Sequence, residues 1–381
     1  MTGRFEKQTA LVQIPMSSHI TVNHCFIYDV PRAGINISEG TFSGHTIENC
    51  DLFNTVLETG DNGSFNSWGR DCFWTPDIKE TVKQVAKDTL LPYLDIIEPY
   101  IIRNSRWRCD HGWDIDFDDG SSQYLIYNNV LLNGGLKMRE GYNRKAYNNV
   151  ILNNSLHPHV WYPKSGDVFK KNIVSGAYRP AIMNRGMPKN GQWGKQLDSN
   201  LFITNEVDRA KFSRNHADTN SLVGDPLFLD RKNGDFRVTS ESPALKIGFK
   251  NFPMDQFGVV SKKLRGMVKK PKTPRIDALS LEKEGKTYEW DTAKVKDVET
   301  MDERSVAGLS ATEGVMLINV PRYSALGRSG FQTGDVIISY EDMPVRDFEH
   351  LQYIIKDNPT LKEFIFGVMH NQEQINIRFE L

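Results

Sequence analysis

Residues 124–155 read YLIYNNVLLNGGLKMREGYNRKAYNNVILNNS and contain one pattern twice. YLIYNNVLLNGG from Tyr124 and RKAYNNVILNNS from Arg144 each set β-forming residues around a pair of Asn, about 20 residues apart. That spacing fits one coil of a parallel β-helix and is too short for a propeller blade of roughly 40 residues. HITVNHCFIYDV from His19 and HTIENCDLFNTV from His45 share the texture, and VFKKNIVSG and SNLFITNE continue it more loosely. Asn128 and Asn148 hold the same place in adjacent units, which predicts amides stacked in a ladder, and Asn49 aligns with them.

A second strand of each coil is legible in GINISEG from Gly34, DIDFDDG from Asp114 and GLKMREG from Gly135. Its period-two pattern points Ile35, Ile37, Ile115, Phe117, Leu136 and Met138 inward and leaves their neighbours on the outer face. The fold class expected is therefore mostly β, a right-handed parallel β-helix over residues 1–258. A loop and helix, GSFNSWGRDCFWTPDIKETVKQVAKDTLLPYL, interrupt it between about 62 and 108. Long insertions in solenoids commonly wall a binding face. Repeat material starts almost at once without an atypical capping turn, so earlier turns are expected to precede this chain. GDPLFLDRKNGDFRVTSESPALKIGF, from Gly224, resembles the closing turn of β-helix carbohydrate enzymes. The stretch 259–297, with its basic run KKLRGMVKKPKTPR, reads as a solvated linker.

Lysine plus arginine number 47 against 48 acidic residues, which argues against a nucleic-acid or anionic-membrane partner. No apolar run approaches the roughly 20 residues of a membrane span, and MTGRFEKQTALVQIP lacks the apolar core of a secretory signal. Cys25, Cys50, Cys72 and Cys109 have no metal-binding spacing, and neither a metal nor another cofactor is expected.

From about residue 298 the texture changes. The run SALGRSGFQTGDVI resembles the helix-turn-strand core of the PDZ family, with Gly330 and Gly334 at the turns and Asp335 opening the next strand. The resemblance covers most of residues 298–381 and implies a small α+β domain. Domains of this family accept an extended peptide as an added strand and hold its C-terminal carboxylate on backbone N–H groups. By position, Val306, Ala307, Gly308 and Leu309 would form that loop, although they depart from the usual Gly-Leu-Gly-Phe form. A domain that merely packs on the β-helix is the bland alternative.

On the outer face of the β-helix, setting Gly40, Gly60, Gly120 and Gly141 in register puts Ser38, Glu58, Asp118 and Arg139 in one column, with His159 continuing it. A neighbouring column holds Asn36, Asp116, Lys137 and His157, and the corner holds Glu39, Asp119 and Glu140. Adjacent strands lie about 4.8 Å apart, near the roughly 5–5.5 Å carboxylate separation of retaining glycosidases. Glu58 over Asp118 and Asp119 over Glu140 are the candidate pairs. Like charges raise one carboxyl pKa while cations such as Lys137 and Arg139 keep the other ionised, giving an acid and a nucleophile. Plain ion pairs on a solvated face, Asp116 with Lys137 and Asp118 with Arg139, are the structural alternative. Trp68, Trp113 and Trp161 lie in the same half of the chain and could present indole faces to sugar rings.

The strings HTIENCDLFNTVLETGDNGSFNSWGRD, HGWDIDFDDGSSQYLIYNNVLLNGGLKMREG and HPHVWYPKSGDVF resemble β-helix enzymes of glycoside hydrolase family 141, over roughly residues 10–258. The resemblance implies α-L-fucosidase or xylanase-like action on plant-type polysaccharide, by a secreted or periplasmic protein. It implies catalytic carboxylates among Glu58, Asp71, Asp116, Asp118 and Asp119, and Arg70 joins the candidate substrate contacts. Two other readings are open. A polysaccharide lyase would use Lys137 or Arg139 as base, with the acids binding calcium, and a non-catalytic module would hold glycan on its tryptophans.

Overall fold

The computed structural model describes residues 10–38, 42–60, 62–68, 72–159, 161–162, 164–180, 191–269, 271–276, 287–299, 303–304, 307–309, 311, 313–357, 363–371 and 373–380. They fall into two compact units, Met1–Ser280 and Leu281–Leu381.

The first unit is a parallel β-solenoid of stacked coils whose strands form three sheets. The first sheet runs Val12–Pro15, Ile35–Ser38, Gly63–Trp68, Trp113–Asp118, Leu136–Met138 and Leu156–Pro158. Its register stacks Val12, Ile35, Phe65, Ile115, Leu136 and Leu156 inward. Ile37, Phe117 and Met138 form a second inward column, as the alternation predicted. Wherever an apolar side chain faces in, its sequence neighbour must face out, and this fixes the candidate face.

Between the second and third sheets the chain turns through a left-handed residue: His24, Asn49, Asn104, Asn128, Asn148, Lys171 and Ser199 all have φ between 49° and 59°. Asn tolerates this region better than most residues, because its short amide bonds locally. Asn148 donates to Asn128 at 2.8 Å, so these amides do stack. Asn49 instead donates to Asn23 of the preceding coil. The continuous ladder lies one residue further on and is buried. Asn129, Asn149 and Asn172 each donate to the amide oxygen one coil on, at 3.1, 3.0 and 3.2 Å, ending at Asn200.

Three expectations about organisation need correction. Gly63–Trp68, Tyr100–Arg103 and Arg106–Arg108 are solenoid strands, so the inserted segment is confined between Trp68 and Tyr100. It carries a helix, Ile78–Lys87, capped by Asp77, and its Phe73 and Trp74 pack with Tyr142 and Tyr162. The segment from Gly224 does not simply close the last turn. Phe236, Phe249, Phe252 and Phe257 cover outward residues of the third sheet, Val130, Val150, Ile173 and Leu201, and Gly258 donates to Asn49 back in the second coil. Apolar side chains on that outer face need a cover, and this segment provides it. The stretch after 258 is accordingly not a free linker: Lys269 pairs with Asp29, and the carbonyls of Lys272 and Arg275 accept from Arg108 and Asn153.

The second unit is PDZ-like and starts before residue 298. Its antiparallel sheet runs Thr287–Trp290, Ala293–Asp297, Val315–Asn319, Val336–Tyr340, Glu363–His370 and Glu373–Glu380. The first two strands lie within the expected linker. Helices Ala325–Arg328 and Phe348–Asp357 complete it around a core that includes Leu317, Leu326, Phe331, Tyr340 and Leu351. Gly330 and Gly334 take φ of 102° and 99°, the conformation expected for them.

Candidate functional site

Two outward columns run along the first sheet. One reads Gln13, Asn36, Asn66, Asp116, Lys137 and His157, and the other Pro15, Ser38, Trp68 and Asp118. Arg139 and His159 extend the second, each donating its N–H one coil back, to Phe117 and Met138. The face therefore changes along the axis from amides, with Asn36 donating to Gln13, to acids, then bases, then histidines.

Glu58 is not in this face. The strand that pairs with Asp118 is Gly63–Trp68, and Trp68 fills the position expected for Glu58. Glu58 is exposed and precedes that strand, whereas Asp118 pairs with Trp68 at its far end. The glycine alignment failed because Gly60 and Gly120 mark different corners. Arg70 and Asp71 lie outside the described residues.

The remaining charges converge. Lys137 Nζ lies 3.0 Å from Asp116, 3.7 Å from Asp118 and 4.2 Å from the centre of the Trp113 ring. Arg139 reaches Asp118 at 2.9 Å, Asp119 at 3.5 Å and Glu140 at 2.6 Å. Asp116 and Lys137 are buried, whereas Asp118 and Arg139 keep partial access to solvent. Burial pushes the Asp118 carboxyl up, but Lys137 and Arg139 outweigh it and hold it below the usual carboxylate range. Asp118 is thus an accessible, ionised carboxylate with two more acids around the same guanidinium.

His157 is buried and His159 half-buried, with ring centres 6.5 Å apart. Burial, reinforced by Lys137 and other cations, lowers both pKa values well below the ordinary 6.5. His157 Nε2 meets the Asn154 amide oxygen at 2.5 Å, and because that oxygen only accepts, Nε2 carries the proton of a neutral ring. Asn154 is a site residue the sequence reading missed; its place three residues before the histidine, at a corner, was the available signal. Trp113 stands edge-on to His159 with centres 5.8 Å apart. Trp161 instead points into the solenoid, where it is 4% exposed and donates to the Met138 carbonyl, so it offers no platform. Among the described residues no group of three or more His, Cys, Asp and Glu side chains is arranged to hold a metal ion, and no helix is long and apolar enough to cross a membrane.

In the second unit the expected carboxylate loop is otherwise employed. The Leu309 N–H donates to the Arg304 carbonyl at 2.9 Å, and Ala307 is buried with Val298 and Val336. Gly308 has φ of 72°, and Val306 lies outside the described residues.

No protein-family model matches the chain. A Rickettsia conorii protein described as "Probable periplasmic serine endoprotease DegP-like" is 28% identical over 82 residues, which are 22% of this chain and 16% of that protein. The chain thus matches only a small part of that relative's length. A solved HtrA3 PDZ domain bound to a phage-derived ligand (FGRWV) aligns with 25% of this chain and 84% of that domain, at 18% identity and a TM-score of 0.20.

Proposed function

We propose that the first unit is a glycoside hydrolase acting on plant-type polysaccharide or its oligosaccharides, with Asp118 as the central carboxylate. The observation that carries this reading is an ionised, partly accessible Asp118 among Lys137, Arg139, Asp119 and Glu140. Asp116 adds a fourth acid to the cluster, beside the two cations. Asp118 serves as nucleophile or base, and Asp119 or Glu140 delivers the proton to the leaving oxygen. Trp68 and Trp113 border the site as the sugar-facing surface.

The lyase reading is the weaker one. Its base would be Lys137, an ammonium bound between two carboxylates, or Arg139, whose pKa its acidic neighbours raise further against the pull of burial. Neither releases a proton readily. Resemblance to glycoside hydrolase family 141 supports pectic side chains or xylan as the substrates to try first, and a secreted or periplasmic location. The periplasmic description of the matched protease is in keeping with that location. Incubation of the full chain with a plant glycan panel, followed by product analysis, tests the proposal. Saturated reducing products lost in Asp118→Asn support it; unsaturated, ultraviolet-absorbing products or binding without turnover overturn it.

A further inference from the structure

A peptide added to a sheet edge forms backbone bonds with the edge strand and fits its alternate side chains into whatever flanks that edge. In the second unit Ala293–Asp297 is the strand beside a helix: Val315–Asn319 occupies one side of it, and helix Phe348–Asp357 is tied to it where the Phe348 N–H donates to Asp297 at 2.7 Å. Its other side is already filled. Thr287–Trp290 pairs antiparallel with it, Tyr288 opposite Val295 and Trp290 opposite Ala293. The side chains alternate as a bound peptide's would: Thr287 and Glu289 are exposed, while Tyr288 and Trp290 are half-buried. Tyr288 packs on the first residue of the helix with ring centres 4.6 Å apart, and Trp290 reaches both Phe348 and Phe366. The Tyr288 hydroxyl donates to Asp297, the same carboxylate that receives the helix N–H. The only link between occupant and acceptor is the pair Asp291 and Thr292, at φ of 43° and 62°, a tight two-residue hairpin turn.

We propose that Thr287–Trp290 is a built-in occupant of the peptide-accepting edge, and that the partner of this edge is an extended segment with aromatic side chains at alternate positions, admitted when the resident strand is displaced. A free C-terminal carboxylate is not what the site recognises, because the covalent turn at Asp291 and Thr292 stands where the peptide would end. This inference does not depend on hydrolase activity in the first unit.

A tethered strand competes at an effective concentration on the order of millimolar, so it suppresses a micromolar ligand by about tenfold or more. The test uses the full chain and a fluorescent, amidated peptide of its own sequence KTYEWD. Saturable binding is expected to Tyr288→Gly/Trp290→Gly, at least about tenfold tighter than to the unaltered chain. A peptide with the two aromatic residues made adjacent should bind poorly. Equal affinity of both proteins, no binding to a folded double variant, or indifference to the aromatic spacing overturns the proposal. Should the double variant not fold, hydrogen exchange of the unaltered chain decides. Opening of Thr287–Trp290 ahead of Val315–Asn319 and Val336–Tyr340 supports displacement, and exchange only with unfolding of the whole unit rules it out.

Discussion

Lys137 and Asp116 face each other across adjacent coils, ammonium to carboxylate oxygen 3.0 Å, with side chains 3% and 1% exposed. At that burial a lone survivor of the pair is an uncompensated charge. Lys137→Met is therefore expected to cost about 3–5 kcal/mol, whereas Lys137→Met combined with Asp116→Asn should recover much of the loss. Urea unfolding of the single and double variants measures both. A single variant as stable as the parent would mean that the pair is solvated.

Asp118 and Glu58 separate cleanly in the proposed chemistry. Asp118→Asn removes the accessible carboxylate and should lower turnover by about 10²–10⁴ with the fold retained. Glu58→Gln, exposed and at another corner, should leave both turnover and stability within about 0.5 kcal/mol of the parent. Initial rates on the best substrate of the glycan panel compare the two.

Much of this was legible because a parallel solenoid repeats its own grammar. Ile115, Phe117, Leu136 and Met138 alternate with charged neighbours, and alternation alone assigns faces. Stacking was harder to read. Glu58 was misplaced because coil length varies between Asp51 and Trp113, and a glycine at a corner carries no label saying which corner it is. The inner Asn ladder was hidden by the NN dipeptides at 128–129 and 148–149, where either Asn could face in. Lys171-Asn172 and Ser199-Asn200 held the missing signal, since only the second position stays Asn. Thr287–Trp290 was hidden by its proximity to a basic linker-like run, since TYEW is too short to declare itself without its partner strand.

Asn149 sits mid-ladder. It donates to Ile126, Tyr147 and Asn172 and accepts from the Asn129 backbone and side chain. Asn149→Ala strands several buried groups at about 1–3 kcal/mol each, so it should cost more than Asn128→Ala, where the main loss is left-handed tolerance worth about 1–2 kcal/mol. Denaturation midpoints of the two variants order them. Equal losses would contradict the inner ladder.

His157 links the site to pH. Its folded pKa lies well below the ordinary 6.5, so below that pH the unfolded chain takes up a proton that the folded chain refuses. Stability is therefore lost as pH falls from 6.5 towards the depressed value, with a slope of up to about 1.4 kcal/mol per pH unit from this ring. His157→Gln should flatten the dependence between about pH 6.5 and 5 by that amount, measured as the difference in unfolding free energy between variant and parent.

Cys25 and Cys50 occupy equivalent corners of the first two coils, one place before the paired residues Phe26 and Asp51. Cys50 is buried and bonds to the Val22 and Glu48 carbonyls, whereas Cys25 keeps partial access to solvent. The neighbouring Cys50 thiol is the largest influence lowering the Cys25 pKa, to about 6, while burial pushes Cys109 up to about 12. The thiolate is the reactive form, so Cys25 should alkylate at neutral pH while Cys50 and Cys109 stay unmodified in the folded protein. Its alkylation rate should rise through a midpoint near 6. Cys50→Ala removes that neighbouring thiol and should move the midpoint up towards the ordinary thiol value of about 8.5, with the loss of reactivity at pH 7 that this implies. Iodoacetamide labelling followed by peptide mass analysis across pH 5–9 reads each cysteine separately. An unchanged Cys25 midpoint in the variant would show that the neighbouring thiol does not set it.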